Sequence, residues 1–412
     1  MVSLFLVREG SFFALVVVGI SLFLIRVAKL IPKRTFAKLS RYFLMRLEKL
    51  QHLNFKNYRE ADLNFSSRIN VLVGKNGSGK TNLLDAIYYL AFTKSAFSTD
   101  PFCVQQDQTY FMVKGSFRIG SITTEIASSV QVGAKKIFRE GLYDYQRLSE
   151  HIGKYPVILI APGDVDLVNE GSESRRKFFD SIISQLDSNY LDDLIQYNHA
   201  LRQRNSLLKM FADSGSADWL AVESYDHLLV KLGSSIFKKR TEFVKEFLPV
   251  FTGFYQFIVE ENEVTDLEYC SELATQDFMA GLVSSRQKDM ILQRTNFGIH
   301  RDDFRFSLGT SDIKRLGSQG QQKSFVIALK LAEFEILKRH KGFKPILLLD
   351  DIFDKLDDFR IARLLELIKG ELGQLFITDA RPDRTRALLD QVQAEAFSFF
   401  IDKGEVSVYE QV

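Results

Sequence analysis

The stretch Gly74-Lys75-Asn76-Gly77-Ser78-Gly79-Lys80-Thr81 decides how the rest of this sequence is interpreted. It fits the pattern G-x-x-x-x-G-K-[ST] of a phosphate-binding loop. The mostly apolar run Ile69 to Val73 predicts a buried strand before it, and the apolar spacing from Leu83 to Leu90 predicts a helix after it. A strand, a glycine turn and a helix thus follow in the required order, which favours the motif over a chance glycine-rich turn.

The residue types of the loop suit a polyphosphate. Glycines at 74, 77 and 79 let backbone N–H groups point inward at phosphate oxygens, beside the positive end of the following helix. Lys80 is expected to neutralise the β- and γ-phosphates, and the Thr81 hydroxyl to hold Mg²⁺. The sequence therefore predicts that ATP binds to all eight residues, including Lys75, Asn76 and Ser78 at the open positions of the motif.

A second element completes the predicted chemistry. The apolar run Ile346 to Leu349 predicts a strand that ends in Asp350 and Asp351. Asp350 is expected to hold Mg²⁺ through its water shell, and Asp351 to orient or deprotonate the attacking water. Paired aspartates also occur in plain turns, but a phosphate loop upstream favours the catalytic interpretation. The predicted catalytic residues are Asp351, Asp350 and Lys80, and the predicted metal ligands are Thr81 and Asp350.

A third motif precedes an amphipathic helix. In Gly317-Ser318-Gln319-Gly320-Gln321-Gln322-Lys323, Ser318 is a plausible N-cap, and the N–H groups of the helix start make an anion site. The motif resembles the ABC-type signature, which in that superfamily covers the γ-phosphate held by a second subunit. The resemblance implies an ATP-dependent homodimer and adds Ser318, Gln319, Gly320 and Gln321 to the predicted nucleotide-binding residues. The alternative is an ordinary capped helix.

Two further positions, Asp357 and Thr378, extend the likeness to ABC ATPases in part. Asp357, in Phe353-Asp354-Lys355-Leu356-Asp357, matches the superfamily's D-loop aspartate. Thr378 stands where many ABC ATPases carry a switch histidine, so the likeness assigns it no sensing role.

Composition sets broad limits. The chain has 412 residues, of which 46% are hydrophobic, enough for a globular protein with one large or two ordinary domains. Cys103 and Cys270 form no metal-type spacing and no disulfide framework, which fits a reducing cytosol and a cytoplasmic protein.

Residues 1–44 differ from the rest of the chain. Phe12 to Ile25 is an uncharged, mostly apolar run, short for a membrane span, and basic residues follow it. It is interpreted as a membrane anchor, as an interfacial or interaction segment, or, the favoured expectation, as non-native sequence upstream of a translation start at Met45. A membrane partner is not expected. Residues 1–44 carry a balance of +6, so the remaining 368 residues carry +2 − 6 = −4.

The remaining chain predicts an α/β fold, an ATPase head lobe with an inserted helical lobe. The first part of the head spans 45–162, the helical lobe 163–295, and the second part of the head 296–412. In the helical lobe, runs from Phe178 to Leu208 and from Val222 to Pro249 predict short antiparallel arms of about 25 residues, roughly 40 Å long.

Several further segments have a distinctive sequence: Met45-Arg46-Leu47, Phe55-Lys56-Asn57-Tyr58-Arg59, Pro162-Gly163-Asp164 through Gly171, Arg175, Arg176 and Asp180, Tyr197 to Lys209, and Gly298-Ile299-His300-Arg301-Asp302-Asp303. Together they resemble the RecF family of bacterial DNA replication and repair ATPases, from Met45 to the C-terminus.

This resemblance implies a weak, DNA-stimulated ATPase that dimerises around ATP and binds single-stranded, duplex or gapped DNA. It also implies a role in recombinational repair, replication restart and the response to DNA damage, including the SOS response, in which the protein promotes RecA loading with RecO and RecR. DNA contacts are expected from basic residues of the helical lobe: Arg175, Arg176, Lys177, Arg202, Arg204, Lys238, Lys239 and Arg240. A solvated helix face is the alternative for each of them. His300 is expected to be a packed, hydrogen-bonded histidine.

Other ATPase classes are weighed against this interpretation. A chromosome-organising SMC-type protein needs heptads over hundreds of residues, which these arms lack. A transporter ATPase would pair with membrane subunits, and only residues 12–25 hint at a membrane. An ATP-dependent nuclease would need a further carboxylate-rich metal site, and the sequence indicates no extra domain to hold one. An SMC-like or transporter-like ATPase acting on a protein or membrane partner stays as the alternative, as does a nucleotide-gated clamp without useful turnover.

Overall fold

The computed structural model describes residues 43–411 apart from 216, 260–262, 354–356, 370–371 and 392–395. Of residues 1–44, only residues 43 and 44 belong to the described part, so the expectations for this segment lie outside it. Residues 354–356 of the D-loop-like segment also lie outside the described part. Residues 44–412 cluster as one compact unit. Within the described residues, no helix is long and apolar enough to cross a membrane.

The described helices and strands follow in chain order. The strands are β1 (Phe43–Phe55), β2 (Tyr58–Asn64), β3 (Ile69–Val73), β4 (Tyr110–Ile119), β5 (Ile122–Gln131), β6 (Ile137–Glu140), β7 (Tyr143–Asp144), β8 (Val157–Ile160), β9 (Thr265–Cys270), β10 (Asp303–Leu308), β11 (Ser311–Asp312), β12 (Phe343–Lys344), β13 (Ile346–Leu349), β14 (Leu375–Asp379), β15 (Ala396–Asp402) and β16 (Glu405–Gln411). The helices are α1 (Lys80–Phe92), α2 (Asp100–Cys103), α3 (Asp166–Asn169), α4 (Ser172–Leu186), α5 (Ser188–Ser214), α6 (Trp219–Val259), α7 (Phe278–Leu292), α8 (Ile313–Leu316), α9 (Gln319–Lys341), α10 (Asp358–Lys369) and α11 (Pro382–Gln391).

A six-stranded sheet in the order β16-β15-β3-β14-β13-β8 divides the described part into two apolar cores. Its strands from β15 to β8 are parallel, and their side chains alternate between the faces. Val71 and Val73 face a core shared with the helical lobe. Leu72 and Leu348 face a core shared with α1 and a second, antiparallel sheet. Burial on both faces explains why these strands are almost wholly apolar.

The antiparallel sheet has the order β12-β1-β4-β5-β6-β7, with β2 paired to the long strand β1. The turn between β1 and β2 holds Lys56 and Asn57, and Phe55 lies opposite Tyr58 in the register. This sheet therefore carries the β1–β2 turn toward the edge where the phosphate loop begins.

The helical lobe differs from the predicted arms at two points. Asp187 divides the apolar stripe between α4 and α5, because its carboxylate accepts hydrogen bonds from the amides of Asn189 at 3.0 Å and Tyr190 at 3.2 Å. The second arm runs past Pro249 to Val259, since the turns after the proline bury Phe251 and other apolar side chains against α9.

The boundary predicted at residues 295/296 does not coincide with a structural division. Strand β9, inside the predicted helical lobe, pairs along its whole length with β10 beyond the boundary. The small sheet β11-β10-β9 thereby joins the helical lobe to the segment that leads into α9.

Candidate nucleotide site

The phosphate loop lies between β3 and α1, and its glycines are required by backbone geometry and space. Gly77 and Gly79 adopt φ values of +78° and +120°, which side chains with a Cβ rarely adopt. A Cβ on Gly74 would lie 2.2 Å from the carbonyl oxygen of Ile401, and one on Gly79 would lie 2.6 Å from Nδ2 of Asn57. The loop is therefore packed tightly on its outer side.

Lys80 is held inside the loop. Its Nζ donates to the carbonyl oxygens of Gly74 at 2.8 Å and Lys75 at 3.1 Å, and the residue is only 4% exposed. The ammonium group thus lies within the loop's curve, with its charge available to an anion bound there.

Thr81, Asp350 and Thr378 form a connected cluster at the carboxyl ends of the strands. The Thr81 hydroxyl lies 2.9 and 3.0 Å from the two carboxylate oxygens of Asp350, and the Thr378 hydroxyl donates to the same carboxylate at 2.8 Å. The Thr378 oxygen also accepts the backbone N–H of Asp351 at 2.8 Å. Thr378 therefore positions both aspartates, a role that its place in the sequence did not reveal.

Asp350 is a buried carboxylate whose charge a bound cation would compensate. Burial raises the pKa of its carboxyl group above the ordinary value, and the hydrogen bonds from Thr378 and Thr81 act in the opposite direction. Asp351 follows with a left-handed backbone, φ +44°. That conformation is uncommon for a residue with a side chain, and its cost is typical of a functional position.

The residues present fit a nucleotide with Mg²⁺. The buried hydroxyl oxygen of Ser78 has no hydrogen-bond partner among the described residues, as expected of a group kept for a ligand. The Thr81 hydroxyl and the Asp350 carboxylate supply hard oxygen ligands, and Mg²⁺ commonly takes one or two of these together with phosphates and waters. Within the described part, no cluster of three or more His, Cys, Asp or Glu side chains forms a metal site of its own.

Three residues outside the predicted set contact the loop. Asn57 Nδ2 donates to the Ser78 carbonyl at 3.0 Å, and the Tyr58 hydroxyl donates to the Gly79 carbonyl at 3.0 Å. The backbone N–H of Gly404 also donates to the Ser78 carbonyl, at 2.9 Å. Asn57 and Tyr58 belong to a segment singled out in the sequence, which was the only available signal; nothing pointed to Gly404.

The signature-like motif occupies a different part of the surface. Ser318 caps α9 as predicted: its hydroxyl accepts the N–H of Gln321 at 3.2 Å, and the Gln321 side chain accepts the N–H of Ser318 at 2.8 Å. Among the described residues, no hydrogen bond joins residues 318–321 to the phosphate loop. A cavity of about 480 Å³ lies beside the cap, lined by Val259, Ser318, Gln321, Asp357, Phe359 and Arg360.

Two predicted DNA contacts are wrong because the residues are buried. Arg204 is 0% exposed and pairs with Asp226 and Asp289, each at 2.7 Å. Arg240 is 1% exposed and makes two hydrogen bonds of 2.9 Å to the Asp180 carboxylate. Both guanidinium groups balance carboxylates inside the helical lobe, so neither reaches a ligand on the surface.

The other predicted DNA contacts remain on or near the surface. Arg202 and Lys238 are exposed. Lys177 and Lys239 are exposed too, but pair with Glu173 at 2.7 Å and Asp187 at 2.8 Å.

Arg175 and Arg176 are half-buried and engaged within the chain. Arg175 pairs with Asp303 at 2.8 Å, and Arg176 donates to the Ser172 hydroxyl at 2.7 Å and to the Asp302 carbonyl. These contacts hold α4 against the start of β10.

His300 is a packed, hydrogen-bonded histidine, as expected. Its ring nitrogens lie 2.9 Å from the Tyr197 hydroxyl and 3.0 Å from the Thr295 carbonyl oxygen. Burial lowers its pKa to about 4, so the ring is neutral at pH 7.

Comparison with known proteins identifies relatives of the chain. The family profile of the RecF/RecN/SMC N terminal domain matches residues 46–101. The DNA replication and repair protein RecF of Cytophaga hutchinsonii is 48% identical over 364 residues, covering 88% of this chain and 96% of that protein. The protein of the same name from Flavobacterium johnsoniae is 47% identical over 349 residues, covering 84% of this chain and 97% of that protein.

Solved structures agree with these relatives. The recombination mediator protein RecF-ATP in the RecFOR pathway has a TM-score of 0.82 and 30% identity, covering 90% of this chain and 99% of that one. An Smc head domain from Pyrococcus furiosus, bound to the C-terminal domain of ScpA, has a TM-score of 0.52 and 18% identity, covering 90% and 96%. The second likeness shows the fold alone. The predicted α/β fold, an ABC-type ATPase head with an inserted helical lobe, is confirmed.

Proposed function

The chain belongs to the RecF family of DNA replication and repair proteins, and from this premise we propose that it is an ATP-dependent DNA-binding protein of recombinational repair. It binds ATP with Mg²⁺ at the phosphate loop, dimerises around two nucleotides and hydrolyses them slowly, with stimulation by DNA. The observation that carries the proposal is the cluster in which Thr81, Asp350 and Thr378 lie within hydrogen-bonding distance beside the loop that encloses Lys80.

The chain's own groups have separate roles in this proposal. The backbone amides and Lys80 bind the phosphates, and Thr81 and Asp350 hold the Mg²⁺, which screens the phosphate charge and polarises the bond to be cleaved. Asp351, which follows Asp350 after the end of β13, orients the attacking water and accepts its proton. Thr378 positions both aspartates, since its hydroxyl donates to the Asp350 carboxylate and its oxygen accepts the backbone N–H of Asp351.

Dimerisation follows from the separation of the two halves of the predicted site. The start of α9 offers the positive end of a 23-residue helix, which attracts a phosphate, although the N–H of Gln321 is already bonded to the Ser318 hydroxyl. Since residues 318–321 make no hydrogen bond to the phosphate loop among the described residues, we assign them to the nucleotide of a second subunit. Each ATP then lies between the phosphate loop of one subunit and the Ser318 cap of the other.

The DNA-binding surface lies on the helical lobe, where Arg202 and Lys238 are exposed. The body of the chain carries a net charge of −4, so binding depends on local basic groups and not on overall charge. In the cytoplasm, the ATP-bound dimer acts at gapped or single-strand/duplex DNA with RecR and RecO and promotes RecA loading.

The test is binding of the protein to gapped, duplex and single-stranded DNA, with ATP and without nucleotide, over a series of salt concentrations. Binding that requires ATP and weakens steadily with salt is expected, because phosphate contacts release counterions. Matched variants Arg202→Gln and Lys177→Gln compare a cation that has no ion pair among the described residues with one already paired with Glu173. Equal DNA affinity with and without ATP would contradict a nucleotide-gated protein.

A further inference from the structure

The turn between β15 and β16 lies against the phosphate loop. Strand β15 runs parallel to β3, with Phe400 opposite Val73, so both strands end at the same edge of the sheet. The turn consists of Lys403 and Gly404, whose φ values of +49° and +84° are those of a two-residue type I′ hairpin. Gly404 is buried, and a Cβ there would lie 2.3 Å from the carbonyl oxygen of Asn57. Only glycine fits this position without displacing the β1–β2 turn.

Four donors hold two consecutive carbonyl groups of the loop, and three of them come from the β1–β2 and β15–β16 hairpins. The Ser78 carbonyl accepts the N–H of Gly404 at 2.9 Å and Nδ2 of Asn57 at 3.0 Å. The Gly79 carbonyl accepts the Tyr58 hydroxyl at 3.0 Å and also the N–H of Leu83, in the first turn of α1, at 3.1 Å. In a planar trans peptide the C=O and the following N–H point in opposite directions. The N–H groups of Gly79 and Lys80 are thereby turned to the inner side of the loop, where such groups bind phosphate oxygens.

We propose that Asn57, Tyr58 and Gly404 form a carbonyl clamp that orients the Gly79 and Lys80 amides toward a nucleoside triphosphate. Through Gly404, the C-terminal hairpin sets the affinity of the protein for the polyphosphate. The three are positioning residues, since they act through the loop and not on the ligand. The inference deepens the proposed function and rests on it, because it concerns the same nucleotide site.

The structure explains why the clamp needs the hairpin as well as the β1–β2 turn. Asn57 is itself oriented by Asn82, whose Nδ2 donates to the Asn57 oxygen at 2.7 Å. Gly404 fixes the Ser78 carbonyl from another chain segment, 326 positions beyond Ser78 in the sequence. A peptide held from two sides cannot rotate without breaking both bonds, which keeps the amides preorganised for the anion.

The test compares Gly404→Ala with the control Gly133→Ala. Gly133 has nearly the same φ, +81°, and a Cβ there would meet nothing within 4 Å, so the control has the backbone strain without the displacement. Affinities for ATP and for inorganic tripolyphosphate are measured by calorimetry, with thermal unfolding on the same samples. Gly404→Ala is expected to lower the affinity for ATP and for tripolyphosphate by about 10- to 100-fold, the contribution of one hydrogen bond to a charged group. Gly133→Ala is expected to bind both as the wild type does.

Asn57→Ala provides a second variant that leaves the hairpin intact. It removes one of the two donors to the Ser78 carbonyl, and we expect a loss of about 5- to 10-fold for both ligands. If Gly404→Ala does not fold, Asn57→Ala decides: wild-type affinity in this folded variant overturns the clamp. So does a loss for ATP that spares tripolyphosphate, since it assigns the contact to the nucleoside. Failure of the wild type to bind ATP at all would instead overturn the proposed function.

Discussion

Replacing Arg204 by methionine is expected to destabilise the helical lobe without removing a DNA contact. Arg204 on α5 donates to Asp226 on α6 and to Asp289 on α7, each at 2.7 Å, and to the Thr295 hydroxyl at 2.8 Å. The side chains of all three charged residues are 0% exposed. One guanidinium group thus holds three helices together in a region without solvent.

The magnitude follows from what the substitution leaves behind. Methionine fills most of the aliphatic volume, so little cavity forms, but Asp289 loses its cation. Among the described residues, Asp226 keeps one cation, Arg286, at 3.3 Å and partly exposed. Removing one partner from a buried ion pair costs about 3–5 kcal/mol, because a carboxylate remains desolvated and uncompensated. Domains of ordinary stability unfold with about 5–15 kcal/mol, so the loss is a large part of the total.

The chain offers a local probe for this experiment. It contains one tryptophan, Trp219, whose ring lies 5.1 Å from the guanidinium carbon of Arg286 next to the same cluster. Urea unfolding followed by tryptophan fluorescence therefore reports on the helical lobe, and far-ultraviolet circular dichroism reports on the whole chain. Arg202→Met is the matched control, since Arg202 is exposed two residues earlier on the same helix; a change within about 0.5 kcal/mol is expected there.

The opposite pattern would refute the reasoning. A free energy of unfolding lowered by less than about 1 kcal/mol in Arg204→Met would show that the triad is not the buried network described. A folded Arg204→Met protein with weakened DNA binding and unchanged stability would return Arg204 to the DNA-contacting surface.

The remaining predictions concern the nucleotide site and acid stability. Lys80→Ala is expected to abolish ATP binding, since it removes the cation enclosed by the loop; wild-type heats in titration calorimetry would refute this. Asp351→Asn is expected to keep ATP binding and trap the dimer, because asparagine tolerates the left-handed backbone but accepts no proton; undiminished phosphate release would contradict it. Ser318→Arg is expected to leave ATP binding by the monomer intact and prevent the ATP-induced dimer, as measured by light scattering; a normal dimer would count against the shared site. His52 is buried, with no partner for either ring nitrogen among the described residues, and burial lowers its pKa to about 4. The unfolded histidine binds a proton below about pH 6.5, so the folded state loses stability as the pH falls from 6.5 toward 4. The unfolding free energy of His52→Leu, relative to the wild type, should therefore increase by about 1 kcal/mol between pH 7 and 5.5. A difference that does not change with pH would disprove the lowered pKa.

The predictions that succeeded from the sequence depend on neighbouring residues. The strand from Ile69 to Val73 and the Ser318 cap have the predicted positions, since each is fixed by side chains a few positions apart. The pair Asp350 and Asp351 lies at the end of its predicted strand for the same reason. The predicted end of the second arm at Pro249 is wrong for a different reason. The helix continues because Phe251 packs against Phe325 on α9, a contact that the local sequence does not show.

By itself, the sequence determined that the phosphate-loop motif lies between a strand and a helix, and that Asp350 and Asp351 follow a second apolar strand. Only the tertiary structure decided which charges are available. Arg202 and Arg204 are indistinguishable as residues, yet one is exposed and the other pairs with carboxylates 22 and 85 positions away. The same holds for Gly404, whose amide meets Ser78 only because β15 lies beside β3. Burial and pairing are properties of distant segments brought together, so no local pattern could supply them.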